Sequence, residues 1–366
     1  MKIKKDHLNF AVGPVPIDDE ISALGSDPVP YFRTAEFSAL MLENERLFLQ
    51  LLDAPPNARA VFLTGSGTSA MDASVSSVFS KNDRLLIVNG GSFGHRFCEI
   101  ADCYGVPYDA IVLHTGKTLT AEDLAPYEGA GHTAFLINMD ETSTGVLYDM
   151  DLVGDFCRRN GLFLVVDIVS AFLSDSFSMK DCGADIAFTG AQKALAVPPG
   201  VALMALSARA QEKIEAARER NYYLSLKKAL NNQERGQTPW TPAVGTLIQI
   251  NARLNAIQEA GLERVQGGIR AVAEDFREKI RKYPFHIVSD RLPNAVTPLS
   301  PNNPEVSAHH LFEVLMDEYG IVICPNGGEL KDTLFRVGHI GAHTTEDNDI
   351  LLRAFDDLIA RGILKA

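Results

Sequence analysis

The chain has 366 residues, 46% of them apolar and 22% charged. That is ordinary globular composition, which excludes disordered and fibrous classes, and at about 150 residues per domain it predicts roughly two domains. Lys and Arg number 34 against 47 Asp and Glu, a net charge of −13, so partners such as nucleic acid or an anionic membrane are not expected. The five cysteines are Cys98, Cys103, Cys157, Cys182 and Cys324, with no C-x-x-C pair. The odd count speaks against a disulfide framework and a zinc ribbon, and fits a reducing compartment. No apolar h-region follows the basic first six residues, and the apolar run 162–173 is interrupted by Asp167 and too short to span a bilayer. A cytoplasmic protein is the expectation.

Strand-like and helix-like segments alternate from about residue 36. Residues 60–64 read as a buried strand and 67–79 as a helix. Residues 84–89 and 93–104 repeat the pair. Residues 134–138 and 162–167 read as strands, with a helix near 151–159 between them. Strands at 185–189 and 200–206 continue the series. Such alternation predicts βαβ units and a mostly parallel sheet, whose ligands bind beyond the carboxyl ends of the strands. Farther on, 244–259 and 262–283 have apolar residues at helical spacing, broken at Gly261. A Pro- and Asn-rich stretch, 293–304, precedes an αββα pattern at 307–319, 321–324, 333–337 and 345–361. A smaller second domain is expected from about residue 262 onward.

Three segments carry chemistry. The first is Thr64-Gly65-Ser66-Gly67-Thr68-Ser69-Ala70, a strand, a glycine-rich turn and a helix start. Glycines let backbone N–H groups approach an anion, and a helix N-terminus favours negative charge. The same segment matches a dinucleotide fingerprint, which wants an acid at the end of the next strand. That strand ends at Asn89, so the confirming residue is missing. The second segment is Leu164-Val165-Val166-Asp167, a carboxylate at the end of an apolar strand. Such a carboxylate is costly to bury unpaired, and a protonated pyridine nitrogen would pair with it; capping a turn is the bland alternative. The third is Thr189-Gly190-Ala191-Gln192-Lys193-Ala194-Leu195, followed by Pro198-Pro199-Gly200. Partial burial there lowers a lysine's pKa and makes it a usable nucleophile, whereas a solvated loop lysine would have no role. Together, a phosphate cradle, a strand-end Asp and a Lys 26 residues later form the constellation for pyridoxal 5'-phosphate.

These blocks, with Asp167-Ile168-Val169-Ser170-Ala171, resemble the class V aminotransferases of the fold-type I pyridoxal-phosphate superfamily. The alanine–glyoxylate, serine–pyruvate and 2-aminoethylphosphonate transaminases are the most similar group. The resemblance runs from Asn9 to Gly341. It implies an α/β fold: a large domain with a mostly parallel seven-stranded sheet at 21–261 and a smaller α+β domain at 262–366. Residues 1–20 would contribute to the active site and the small domain. It implies that Lys193 forms the Schiff base and Asp167 holds the pyridinium. Val169 and Phe93 would cover the two ring faces, and Thr142 would approach the phenolic oxygen. Ser66, Gly67, Thr68 and Gln192 would hold the phosphate, with Thr241 and Thr238 reaching it from the other subunit of a homodimer. Arg336 and Gly13 would bind substrate, the arginine fork matching an α-carboxylate. Phe32 stands before Arg33 where the family often has His, which changes the pocket polarity expected there.

The function so implied is transfer of an amino group from a small donor (alanine, serine or 2-aminoethylphosphonate type) to glyoxylate or pyruvate by ping-pong chemistry. The alternative is a lyase of the same fold, such as a cysteine desulfurase. Its relatives carry His where Gln192 and Phe93 stand here, and Cys324 is the only candidate for the reactive cysteine. A nicotinamide dehydrogenase rests on the glycine turn alone, and a silent regulatory relative has no DNA-binding extension to support it. His309 and His310 are adjacent and point to different helix faces, and His339 and His343 flank glycines. No metal site is expected.

Overall fold

The structure is a computed structural model that describes residues 7–365. Its main sheet has seven strands: β1 (Arg59–Thr64), β2 (Leu85–Asn89), β3 (Tyr108–Val112), β4 (Ala134–Asn138), β5 (Phe163–Asp167), β6 (Ile186–Gly190) and β7 (Val201–Leu206). Their order is β1-β7-β6-β5-β4-β2-β3. All neighbours run parallel except β7, which is antiparallel to both β1 and β6. Every residue of β4, β5, β6 and β7 is buried, as expected for strands covered on both faces. Alternate residues point to opposite faces. Thus Leu164 and Val166 join one apolar core while Val165 and Phe188 join the other. Helices α1 (Ala35–Leu51), α2 (Gly67–Val78), α3 (Ser92–Tyr104) and α4 (Met150–Asn160) pack on these faces.

Reversal of β7 places its start beside the ends of its neighbours. Gly65 N donates to Gly200 O at 2.9 Å and Ala191 N donates to Val201 O at 3.0 Å. The glycine-rich turn and the lysine turn are therefore tied to adjacent residues.

Helices α5 (Val244–Ala260) and α6 (Leu262–Ile280) meet at Gly261, whose φ of +88° suits a residue without a Cβ. A second sheet follows, β8 (Phe285–Ile287), β9 (Val296–Pro301), β10 (Cys324–Pro325) and β11 (Phe335–Gly338), in the order β8-β9-β11-β10. With α7 (Ala308–Tyr319) and α8 (Thr345–Ala360) it surrounds a third core containing Phe276, Leu311, Phe335 and Phe355. Phe10 belongs to this core, whereas Val12 and Val15 lie in the main one. The N-terminal segment thus runs from the small sheet into the main body. Leu8–Asn9 pair in parallel with Ile321–Val322.

The elements read from the sequence are present, with ends shifted by a residue or a few. Six strands were not read: β3 at the sheet edge, β8, β9, and the two-residue strands Leu8–Asn9, Asp140–Glu141 and Val146–Leu147. The Pro-rich stretch 293–304 is not a plain connection, because it contains β9. The segment 321–324 divides between the pairing with Leu8–Asn9 and β10.

Candidate active site

The carboxyl ends of β1, β4, β5 and β6 surround a cavity of about 200 Å³. Its wall brings together Gly13, Ser66, Gly67, Thr68, Phe93, Thr142, Asp167, Val169, Gln192 and Lys193, all singled out in the sequence. Met71, Arg96 and Asp140 line it too and were not singled out.

Asp167 ends β5. Its Oδ1 accepts from Val169 N at 2.8 Å and its Oδ2 accepts from Asn138 Nδ2 at 2.8 Å. Burial pushes its carboxyl up to about 7, against the pull of those two bonds. Lys193 lies in the turn after β6, and its Nζ donates to Val12 O at 2.5 Å. Burial lowers its pKa from the ordinary lysine range. Two charged groups that are costly in water-free surroundings thus face one cavity.

Helix α2 begins at Gly67, and Ser66 at its N-cap makes no side-chain capping bond. Ser69 N donates back to Ser66 O at 2.8 Å, and the helix dipole makes this uncapped start favourable to an anion. A Cβ on Gly67 would sit 2.8 Å from Val169 Cγ2, so glycine allows this approach. Gln192 Oε1 is buried without a partner. Arg96 adds a cation: its guanidinium stacks 4.8 Å above the Phe93 ring and donates to Thr68 Oγ1 at 3.1 Å. The sequence signal was available, since Phe93 and Arg96 are three apart on one helix.

Glu141 anchors the start of α3, accepting from Gly94 N at 2.8 Å and from Ser143 Oγ at 2.5 Å. Thr142 Oγ1 and Ser170 Oγ share a hydrogen bond of 2.5 Å. Arg336, in β11, is buried and is not among the residues that line the cavity. Its Nη1 donates to Thr142 O at 3.0 Å and its Nη2 to Pro325 O at 2.7 Å, while Nε has no partner. Neutral carbonyl acceptors leave its charge uncompensated.

Thr238 and Thr241 lie elsewhere in the chain, in a small separate cavity with Thr64, Tyr223 and Trp240. Thr238 Oγ1 donates to Trp240 O at 2.7 Å. Arg33 holds this segment, donating from Nη1 to Gln237 Oε1 at 3.1 Å and to Thr238 O at 3.0 Å. Cys324 sits in β10, paired across the ladder with Arg336, and so is not on a loop.

Residues 31–330 match the family model described as aminotransferase class-V. The chain belongs to the class V aminotransferases. It is 27% identical to the soluble hydrogenase, small subunit, of Synechococcus sp., over 93% of this chain and 88% of that one. It is 28% identical to the L-aspartate–glyoxylate aminotransferase of Paracoccus denitrificans, over 92% of this chain and 86% of that one. Among solved structures it resembles the subgroup IV aspartate aminotransferase of Thermus thermophilus, with a TM-score of 0.88 and 27% identity over 96% and 99% of the two chains. The fold is that of the fold-type I aminotransferases, and the protein is an enzyme of this class.

Proposed function

We propose that the cavity holds pyridoxal 5'-phosphate and that the enzyme moves an amino group from a small amino donor to glyoxylate or pyruvate. One juxtaposition carries this reading: buried Lys193 and buried Asp167 face a single cavity whose wall includes the N-terminus of α2. The residues fit the cofactor. The uncapped helix start and the close approach that glycine allows at Gly67 form a cradle for an anion. Gln192 would meet that anion through its amide N–H groups. Val169 and Phe93 would bracket a flat ring, and Arg96 would add charge on the phosphate side.

When bound, the cofactor supplies a ring that accepts the electrons left at the substrate's Cα. Asp167, whose carboxyl burial pushes up to about 7, would share a proton with a ring nitrogen. Burial lowers the pKa of Lys193, which favours the neutral amine that would attach to a carbonyl carbon with loss of water. Once displaced by the donor, the same amine takes the proton from the substrate's Cα. Arg336 receives the substrate carboxylate on its guanidinium, and Gly13 leaves room beside the lysine. A keto acid then enters the same cavity for the return half, which gives ping-pong kinetics. The donor is of the alanine, serine or 2-aminoethylphosphonate type. Thr241 and Thr238 reach the phosphate from the second subunit of a homodimer.

The test is the visible spectrum of the purified enzyme before and after L-alanine. A yellow band that fades on addition, and that is lost in Lys193→Ala together with transamination, is the expected result. A band untouched by alanine directs the donor screen to aminophosphonates. Protein that stays colourless with added pyridoxal phosphate would overturn the proposal.

A further inference from the structure

The steps above leave one acid of the cavity unused. Asp140 follows β4 and pairs with Leu147 in a two-residue antiparallel bridge. On either side Met139 N donates to Asp167 O at 2.8 Å and Tyr148 N donates to Met139 O at 2.9 Å, so the main chain here is fixed. The side chain is 4% exposed and lines the wall it shares with Lys193. Neither carboxyl oxygen has a hydrogen-bond partner. The neighbouring acids differ. Asp167 accepts two bonds, Glu141 accepts from Gly94 N and Ser143 Oγ, and Asp175 is held by Ser174 and Asn294.

A buried acid without a partner is costly, and in a folded protein it calls for a reason. In the cofactor-free chain burial holds this carboxyl well above the usual range. The negative charges of Asp175, Glu141 and Asp167 act in the same sense, and Lys193 opposes them. Arg277 on α6 also feels the Asp140 charge, while Cys324 and Arg336 act on Lys193 from the small sheet. Burial thus favours the protonated carboxyl in the free chain, where neither oxygen has a hydrogen-bond partner. Lys193 Nζ is meanwhile turned to Val12 O.

We propose that Asp140 is the counter-charge for the nitrogen cation formed where Lys193 meets the cofactor. The inference rests on the function proposed above. Asp167 would serve the ring nitrogen, and the nitrogen contributed by Lys193 lies at the cavity wall that Asp140 shares. A proton on the carboxyl would pass to the nitrogen, leaving a carboxylate beside a cation. An adjacent anion favours the protonated nitrogen, so Asp140 raises the pH at which that proton is lost. Acting through the lysine nitrogen, it is a positioning residue. It makes the linkage a better target for an incoming amine at neutral pH.

The experiment is a pH titration of the visible band of the holoenzyme, comparing wild type with D140N and D140S. The midpoint should fall by about one pH unit or more in both variants, the usual scale for losing a close opposite charge. Melting temperatures of the cofactor-free proteins provide a second readout. Removing an acid that has no partner should leave them unchanged or raise them. If D140N does not load with cofactor, D140S is read in the same way. A midpoint that stays put in a variant that does load overturns this inference alone. Wild-type protein that takes up no cofactor overturns it together with the proposed function.

Discussion

Arg336 sits in an apolar strand with its two Nη groups on carbonyl oxygens and its Nε free. Under the proposed function a substrate carboxylate would supply the opposite charge. Losing a charge-assisted pair costs about 3 kcal/mol, so Arg336→Ala should raise KM for α-carboxylate substrates roughly 100-fold. Steady-state kinetics check this, and an unchanged KM would assign the carboxylate to another group. Asp167 gives a pH prediction. Its folded value of about 7 lies above the ordinary 3.8, so protonation favours the folded state. Its contribution to the stability of the cofactor-free protein is present at pH 4 and is lost as the pH rises through 7. Thermal melts across this range should show the decline, and Asp167→Asn should flatten it. Lys193 and Asp167 were legible because strand ends and spacing are properties of the sequence. The missing partners of Asp140 were not, because a gap in a hydrogen-bond network exists only after distant segments have packed.

At the scale of elements, the contact between α3 and β2 decides where Phe93 stands. A Cβ on Gly94 would lie 2.4 Å from Val88 O and 2.9 Å from Asn89 Cα, both backbone atoms. Gly94→Ala must therefore lift the start of α3 and carry Phe93 with it. Overpacking of this kind costs about 1–3 kcal/mol, so both melting temperature and cofactor affinity should fall. A variant with wild-type values for both would contradict the argument. The helices and central strands were readable because their apolar periods are long and buried. β9 was not, because Pro298 and Pro301 argue against a central strand. The structure shows how it forms. Pro298 is paired only toward β11, where it faces Arg336, and Pro301 only toward β8, where it faces Phe285. Neither proline interrupts two ladders at once. β3 was missed because only one of its five residues is buried, which leaves little alternation to detect.

For the whole molecule, the segment bearing Thr238 and Thr241 carries an aromatic surface. Trp240 packs against Tyr222 and Tyr223, which are 70% and 53% exposed, and Tyr31 is 69% exposed. Exposed aromatic clusters of this kind mark interaction surfaces. The proposed homodimer would cover it and bring Thr241 to the partner's cofactor site. Thr241→Ala should then weaken cofactor binding in the pure variant. An equal mixture with Lys193→Ala, unfolded and refolded together, should recover about a quarter of the wild-type sites, since only mixed C2 dimers hold one intact site. No recovery in dimers shown to be mixed would place Thr241 outside the neighbour's site. The sequence pointed to this only through the family resemblance, because a surface shared between chains leaves no periodic mark in one of them.

The reversed strand β7 has a mechanical consequence. Gly200 and Val201 receive the backbone donors of Gly65 and Ala191, so the anion cradle and the lysine turn hang from one stiff point behind Pro198 and Pro199. A shift there displaces both at once. For the cofactor proposed above, phosphate grip and covalent attachment should consequently loosen in step, and a ligand held at only one end would be a short-lived species during release.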